Sequence, residues 1–323
     1  MARWYILPCH VAQLEARASH RLDDSGVGQS TGVATDLESS PWLDGPIAKP
    51  TGVGVRFFDV FAAEQGLSVQ AGTGLIKNFA ELAGPSFQPE GIAPEVRHFY
   101  ENTTEYELDA WSEWCGFFRP FGCLLAWVFS HRLQQLNVPL SGLDTSGGIT
   151  SRVVDLVDAE GKVRNTAWIR ELLSNRQVLY AGSYSTCRVP NFDGGCVKVV
   201  FPLPNGNAIV ILHPQSQSDG SFLLTSSGAG YGSPGFCFTV HEGERVWAKY
   251  VPAIQETIRV HATSTKNQVR ADHVLRFWGV TFLRLHYRLQ RMQATQAPAA
   301  VGPSVPPSAG NGEGVPALST RHP

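Results

Sequence analysis

Apolar positions recur along this chain with two different periods, and the predicted architecture changes where the period changes. Up to about residue 136 they return at three- and four-residue intervals, the spacing of one helix face. Leu75, Ile76, Phe79 and Leu82 make one such group between Gly72 and Gly84. Val96, Phe99, Tyr100, Thr103, Tyr106, Leu108, Trp111, Trp114 and Cys115 make a longer one, which predicts an amphipathic helix from Pro94 to about residue 118. Pro120 should end it, because a proline ring clashes with the preceding turn and removes a donor, and a shorter helix is expected over 121–136.

From Ile149 onward the pattern becomes short runs rich in β-branched and aromatic residues, each closed by Gly, Pro, Asn or Asp. Nine strands are predicted, at 149–157, 163–170, 177–188, 196–201, 208–212, 221–225, 236–240, 245–250 and 254–262. The links are too short for crossover helices, so the strands should pair antiparallel and curl into a barrel or a deeply curved sheet. Beyond them Val274, Phe277, Trp278, Thr281, Phe282, Leu285 and Leu289 fit a long C-terminal helix, capped by Asp272 and flanked by Arg276, Arg284, Arg288 and Arg291. The expected fold class is therefore α+β: about nine antiparallel strands between an N-terminal helical region and a closing helix.

Composition places the ends outside that domain. Residues 1–50 and 292–323 are rich in small and polar residues and are expected to be mostly disordered, leaving 51–291 as a single domain. Twenty-six basic residues against 28 acidic ones, scattered along the chain, leave no footprint for nucleic acid. The six cysteines form no CxxC pair, which suits buried thiols and a cytoplasmic setting, with a Cys187–Cys196 bridge left open. No transmembrane segment is expected, because the most apolar window, 116–129, is interrupted by Arg119 and Pro120.

No motif announces a reaction. Gly28-Gln29-Ser30-Thr31-Gly32 matches a nucleophile elbow only in letters, since it lies in a polar stretch without a strand before it. The Gly228–Gly235 stretch lacks the third glycine and following helix of a dinucleotide fingerprint and is expected to be a flexible loop at a cavity mouth. The ten histidines form no metal-binding string, so neither a metal nor another cofactor is expected.

Charged residues inside apolar strands are more informative, because burying a charge demands a partner. Trp168 and Arg170 point to one side of their strand, and Tyr180 and Tyr184 share a face on the next. Facing inward, they would make an aromatic pocket with one cation and phenolic donors for a hydrophobic small molecule with an anionic or polar head. His213, Glu256 and His261, with Asp155, are the candidate acids and bases in that pocket. Phe117, Phe118, Arg119, Phe121 and Trp127 are candidates for peripheral contact with a membrane or partner.

The order of helix, curved antiparallel sheet and closing helix, over about residues 95–291, resembles the helix-grip arrangement of START and polyketide-cyclase-like proteins, and less closely lipocalin barrels. That resemblance implies lipid, polyketide or isoprenoid binding between sheet and helices. The alternatives are a cyclase, isomerase or hydrolase acting on such a molecule, and an interaction module with a filled core.

Overall fold

The computed structural model describes residues 32–48, 56–116, 149–173, 178–243 and 245–292. Fourteen strands and two short α-helices lie among them. The strands are β1 (Val33–Thr35), β2 (Ser68–Ala71), β3 (Tyr106–Trp114), β4 (Ile149–Val157), β5 (Val163–Leu172), β6 (Val178–Cys187) and β7 (Cys196–Leu203). They continue as β8 (Gly206–Ser216), β9 (Phe222–Thr225), β10 (Gly235–Glu242), β11 (Arg245–Tyr250), β12 (Ile254–Ala262), β13 (Gln268–Phe277) and β14 (Val280–Arg291). All pair antiparallel, in the order β2-β4-β5-β6-β7-β8-β9-β12-β13-β14-β3, and the sheet is open, with β2 and β3 at its ends.

The nine segments expected to be strands are β4 to β12, but the α+β class and the closing helix are overturned. Residues 268–291 form the hairpin β13–β14, so the element on which the START and lipocalin resemblance depended is absent. Strict alternation decides the outcome: Leu283, Leu285, Tyr287 and Leu289 point one way while Arg284, His286, Arg288 and Gln290 point the other. The turn is made by Trp278 and Gly279, both at positive φ (47° and 78°), as a two-residue type I′ connection requires. Asp272 therefore caps no helix and stands in mid-strand on β13. The long helix from Pro94 is also corrected. It ends at Glu101, and Tyr106 to Trp114 extend as β3 against β14. The helix expected over 121–136, with Phe117, Phe118, Arg119, Phe121 and Trp127, lies outside the described residues.

The sheet forks at β8. Along one edge, Gly206–Ile211 pair with β10 and His213–Ser216 pair with β9, and residues 226–234 loop out between those two collinear partners. One branch continues from β10 through β11 to β1, and the other from β9 through β12, β13 and β14 to β3. Residues 32–48, expected in an unstructured region, thus supply an edge strand and a covering segment. Trp42 and Leu43 pack there on Val200, Ile209 and Ile211. Cys187 and Cys196 face each other across β6 and β7 and are free thiols. Burial raises both above the usual thiol range, Cys187 to about 11.

The helix Phe57–Glu64 covers the outer face of β4 to β6, where Phe58 and Ala62 meet Val154, Leu156, Ala167 and Ile169. It stops because Gly66 takes φ +66°, letting its N–H reach Ala63 O and the Leu67 N–H reach Ala62 O. The inner faces of β4 to β8 and of the branch from β9 to β3 share a core with the helix Pro94–Glu101 and the segment before it. Phe79, Phe87, Tyr100 and Phe222 interlock at one end, with ring centroids 5.3 to 6.2 Å apart. Toward the other end of the trough the packing loosens in part, although Leu283 and Glu256 there stay buried. Val260, Val269, Ala271 and Leu289 are buried, whereas Ile258, His273, Leu275, Leu285 and Tyr287, on the same inner face, are only half-buried. The compact unit ends at Arg291.

Candidate functional site

The site begins with the register of β5 on β6. Arg170 lies opposite Tyr180, Trp168 opposite Gly182, and Thr166 opposite Tyr184, so alternate residues of both strands face the trough. Gly182 is essential to the arrangement, because a side chain there would meet the Tyr180 hydroxyl at 2.6 Å. Without a side chain between them, the two phenols meet at 2.6 Å, Oη to Oη. The indole of Trp168 packs edge-on against both rings and donates from Nε1 to Ser151 Oγ at 2.7 Å.

Arg170 lies over this floor. Its guanidinium carbon is 3.5 Å from the Trp168 ring centroid, 5.0 Å from that of Tyr180 and 5.3 Å from that of Tyr287, which reaches across from β14. The residue is 8% exposed, its Nε has no hydrogen-bond partner, and among the described residues no carboxylate comes within 4.0 Å of it. Burying a guanidinium this way is costly, and stacking on aromatic faces returns only about 0.5–2 kcal/mol.

Glu256 and His273 complete the group from the facing branch, with Glu256 Oε2 3.1 Å from His273 Nε2. The Glu256 backbone N–H donates to Ser226 Oγ at 2.7 Å, which ties this strand to the fork. Burial pushes the phenols of Tyr180, Tyr184 and Tyr287 up, Tyr184 to about 12, while Arg170 opposes the shift at all three. Each of these rings nevertheless keeps accessible surface, as side chains lining a space do.

The sequence-derived candidates therefore divide. Trp168, Arg170, Tyr180, Tyr184 and Glu256 converge on the trough, and Tyr287 and His273 join them. Those two were missed because a helical reading of 272–291 hid their inward alternation. Asp155 stays near the β2 edge, held by Lys77 Nζ at 2.8 Å and Thr166 Oγ1 at 2.7 Å. His261 points to the opposite, outer face, 3.7 Å from Asp272, which also accepts from His286 Nδ1 at 2.7 Å. His213 is remote from Arg170. It lines a cleft of about 570 Å³ at the fork with Asn191, Phe192 and Ser227–Pro234.

The glycine-rich loop expected at a cavity mouth lines this cleft, held by hydrogen bonds from both sides. Tyr250 Oη lies within hydrogen-bond distance of Gly228 O and Pro234 O, Asn191 Nδ2 donates to Tyr231 O, and the Tyr231 and Thr35 hydroxyls meet at 2.9 Å. His213 packs on Phe192, its Nδ1 has no partner, and burial lowers its pKa. The folded state thus favours neutral imidazole. That stabilisation is complete above the unfolded value near 6.5 and is lost as pH falls below it toward the folded value. The melting temperature is expected to fall between pH 7 and pH 5, and to fall less in His213→Phe, which keeps the ring stacking. Thermal melts across that range check this, and identical slopes for both proteins would contradict it.

No group of side chains suited to a metal ion is present among the described residues, and none of their helices is long and apolar enough to cross a membrane. No family model matches the chain, and no solved structure matches it. A curated relative does match: the "Uncharacterized membrane protein YndJ" of Bacillus subtilis (strain 168), 27% identical over 224 residues. The match covers 67% of this chain but 38% of the relative, so this chain corresponds to well under half of that protein.

Proposed function

We propose that the trough between β4–β6 and the branch running through β12, β13 and β14 holds an apolar small molecule, of lipid, polyketide or isoprenoid type, with an acidic head against Arg170. The observation that carries this reading is the buried guanidinium with no carboxylate within 4.0 Å of it among the described residues. A cation in a low-dielectric site gains most from an anion that arrives with its own desolvation offset by apolar burial. The half-buried Ile258, Leu275 and Leu285 supply the apolar wall, and the phenol of the Tyr180–Tyr184 pair that accepts within the pair keeps its own O–H to donate to a second head oxygen. The relative's description as a membrane protein supports a setting close to lipid.

A second reading, catalysis on such a molecule, is favoured by one feature: the Glu256–His273 pair faces the same space. Native mass spectrometry of the purified protein, followed by solvent extraction, tests the first reading. A co-purifying acidic lipid-like molecule is the expected result. An empty protein that takes up no acidic apolar probe would refute it. Chemical change in the bound molecule that is abolished by His273→Gln would favour the second.

A further inference from the structure

The β13–β14 turn is built from a residue that the turn disfavours. Trp278 occupies the first central position at φ +47°, where asparagine or glycine is at ease and a bulky side chain is strained. The residue is 76% exposed, its ring tilted against Phe277 at a centroid distance of 4.3 Å, and Val280 beyond the turn is 53% exposed. Strain and exposed apolar surface at one point are both destabilising for an isolated domain, and such a pairing points to a use outside the domain.

The geometry points to a lipid bilayer as the partner: we propose that Trp278 and Val280 insert into the interfacial region of a membrane, with Arg276 at the headgroups. Two features favour a bilayer over a protein pocket at this exposed tip, whose Trp278 N–H is held by Ala253 O at 2.8 Å. Its exposed ring is an indole, the side chain that settles at the boundary between acyl chains and headgroups. A cation stands beside it as well, on a hairpin that carries Arg270, Arg276, Arg284, Arg288 and Arg291 with one carboxylate, Asp272. Of these, Arg284, Arg288 and Arg291 pair with Glu113, Asp109 and Glu105 on β3. Arg276, two residues from the turn, donates to Thr257 Oγ1 at 3.3 Å, and with no carboxylate within 4.0 Å among the described residues its charge can meet an anionic lipid. The tip also stands at the end of the trough where the packing loosens in part, although the inference does not depend on what the trough binds.

Sedimentation of the full chain with vesicles of phosphatidylcholine and phosphatidylglycerol tests this, with brominated acyl chains as fluorescence quenchers. The chain is expected to partition onto the vesicles and its tryptophan emission to be quenched. Trp278→Asn, which installs the favoured Asn-Gly turn, should lower the partition coefficient about tenfold or more. The same change should raise the melting temperature by about one to three degrees, because it relieves the turn. Arg170→Met should leave vesicle binding unchanged, which separates this surface from the trough. Absence of vesicle binding by the wild-type chain, or equal binding by Trp278→Asn, overturns the proposal.

Discussion

Arg170→Met is expected to weaken binding of a long-chain fatty acid about 10- to 100-fold while leaving the melting temperature unchanged or higher. The magnitude follows from charged hydrogen bonds, which are worth about 1.5–3 kcal/mol when one partner is removed. The stability expectation has a separate cause. Replacing a buried cation that has no carboxylate partner among the described residues with an apolar chain of similar length removes a desolvation penalty and retains contact with Trp168 and Tyr180. The corresponding fatty alcohol should bind both proteins with similar affinity, since it brings no charge for the guanidinium to meet. Fluorescent fatty-acid titration beside a thermal melt reads both quantities. If binding persists while the melting temperature collapses, Arg170 is a structural cation and the proposed headgroup site is wrong.

Phe222→Ala is expected to cost about 3–5 kcal/mol of stability, the range for removing a fully buried phenylalanine. Phe222 is wholly buried and touches the rings of Phe79, Phe87 and Tyr100 from β9, the four-residue strand that starts the second branch of the fork. Truncation would leave three aromatic faces without a partner at the end where the trough is filled. So short a strand has few other contacts to compensate. Urea denaturation of the wild type and variant measures the difference. A loss below about 1.5 kcal/mol would mean that the plug collapses around the gap and that the rings are not interlocked as described.

Local chemistry made part of this legible in advance. The nine segments from β4 to β12 announce themselves by β-branched composition and turn residues at both ends. The period of two then puts Trp168 with Arg170 and Tyr180 with Tyr184 on shared faces. Glu256 was singled out as a charge within an apolar run. The same logic failed for β3 and for β13–β14, because aromatic residues occupy both faces there. Trp111 stacks on His286 on the outer face while Trp114 and Leu108 point inward, and the mixture imitates a helical spacing. Phe277-Trp278-Gly279 carries no asparagine or aspartate to mark a type I′ turn, so the hairpin reads as continuous helix.

The amino-acid sequence by itself determined which residues of β4 to β12 extend, and that Trp168 with Arg170 and Tyr180 with Tyr184 share strand faces, without fixing which face turns inward. Those properties depend on backbone sterics and alternation, which act within a few residues. Only the tertiary structure decided that the sheet forks at β8, that His213 and His261 are kept apart from Arg170, and that Tyr287 and the Glu256–His273 pair come to it from the facing branch. The reason is physical: each of those outcomes depends on which distant strand supplies the next row of hydrogen bonds, and that choice is made by burial of whole faces.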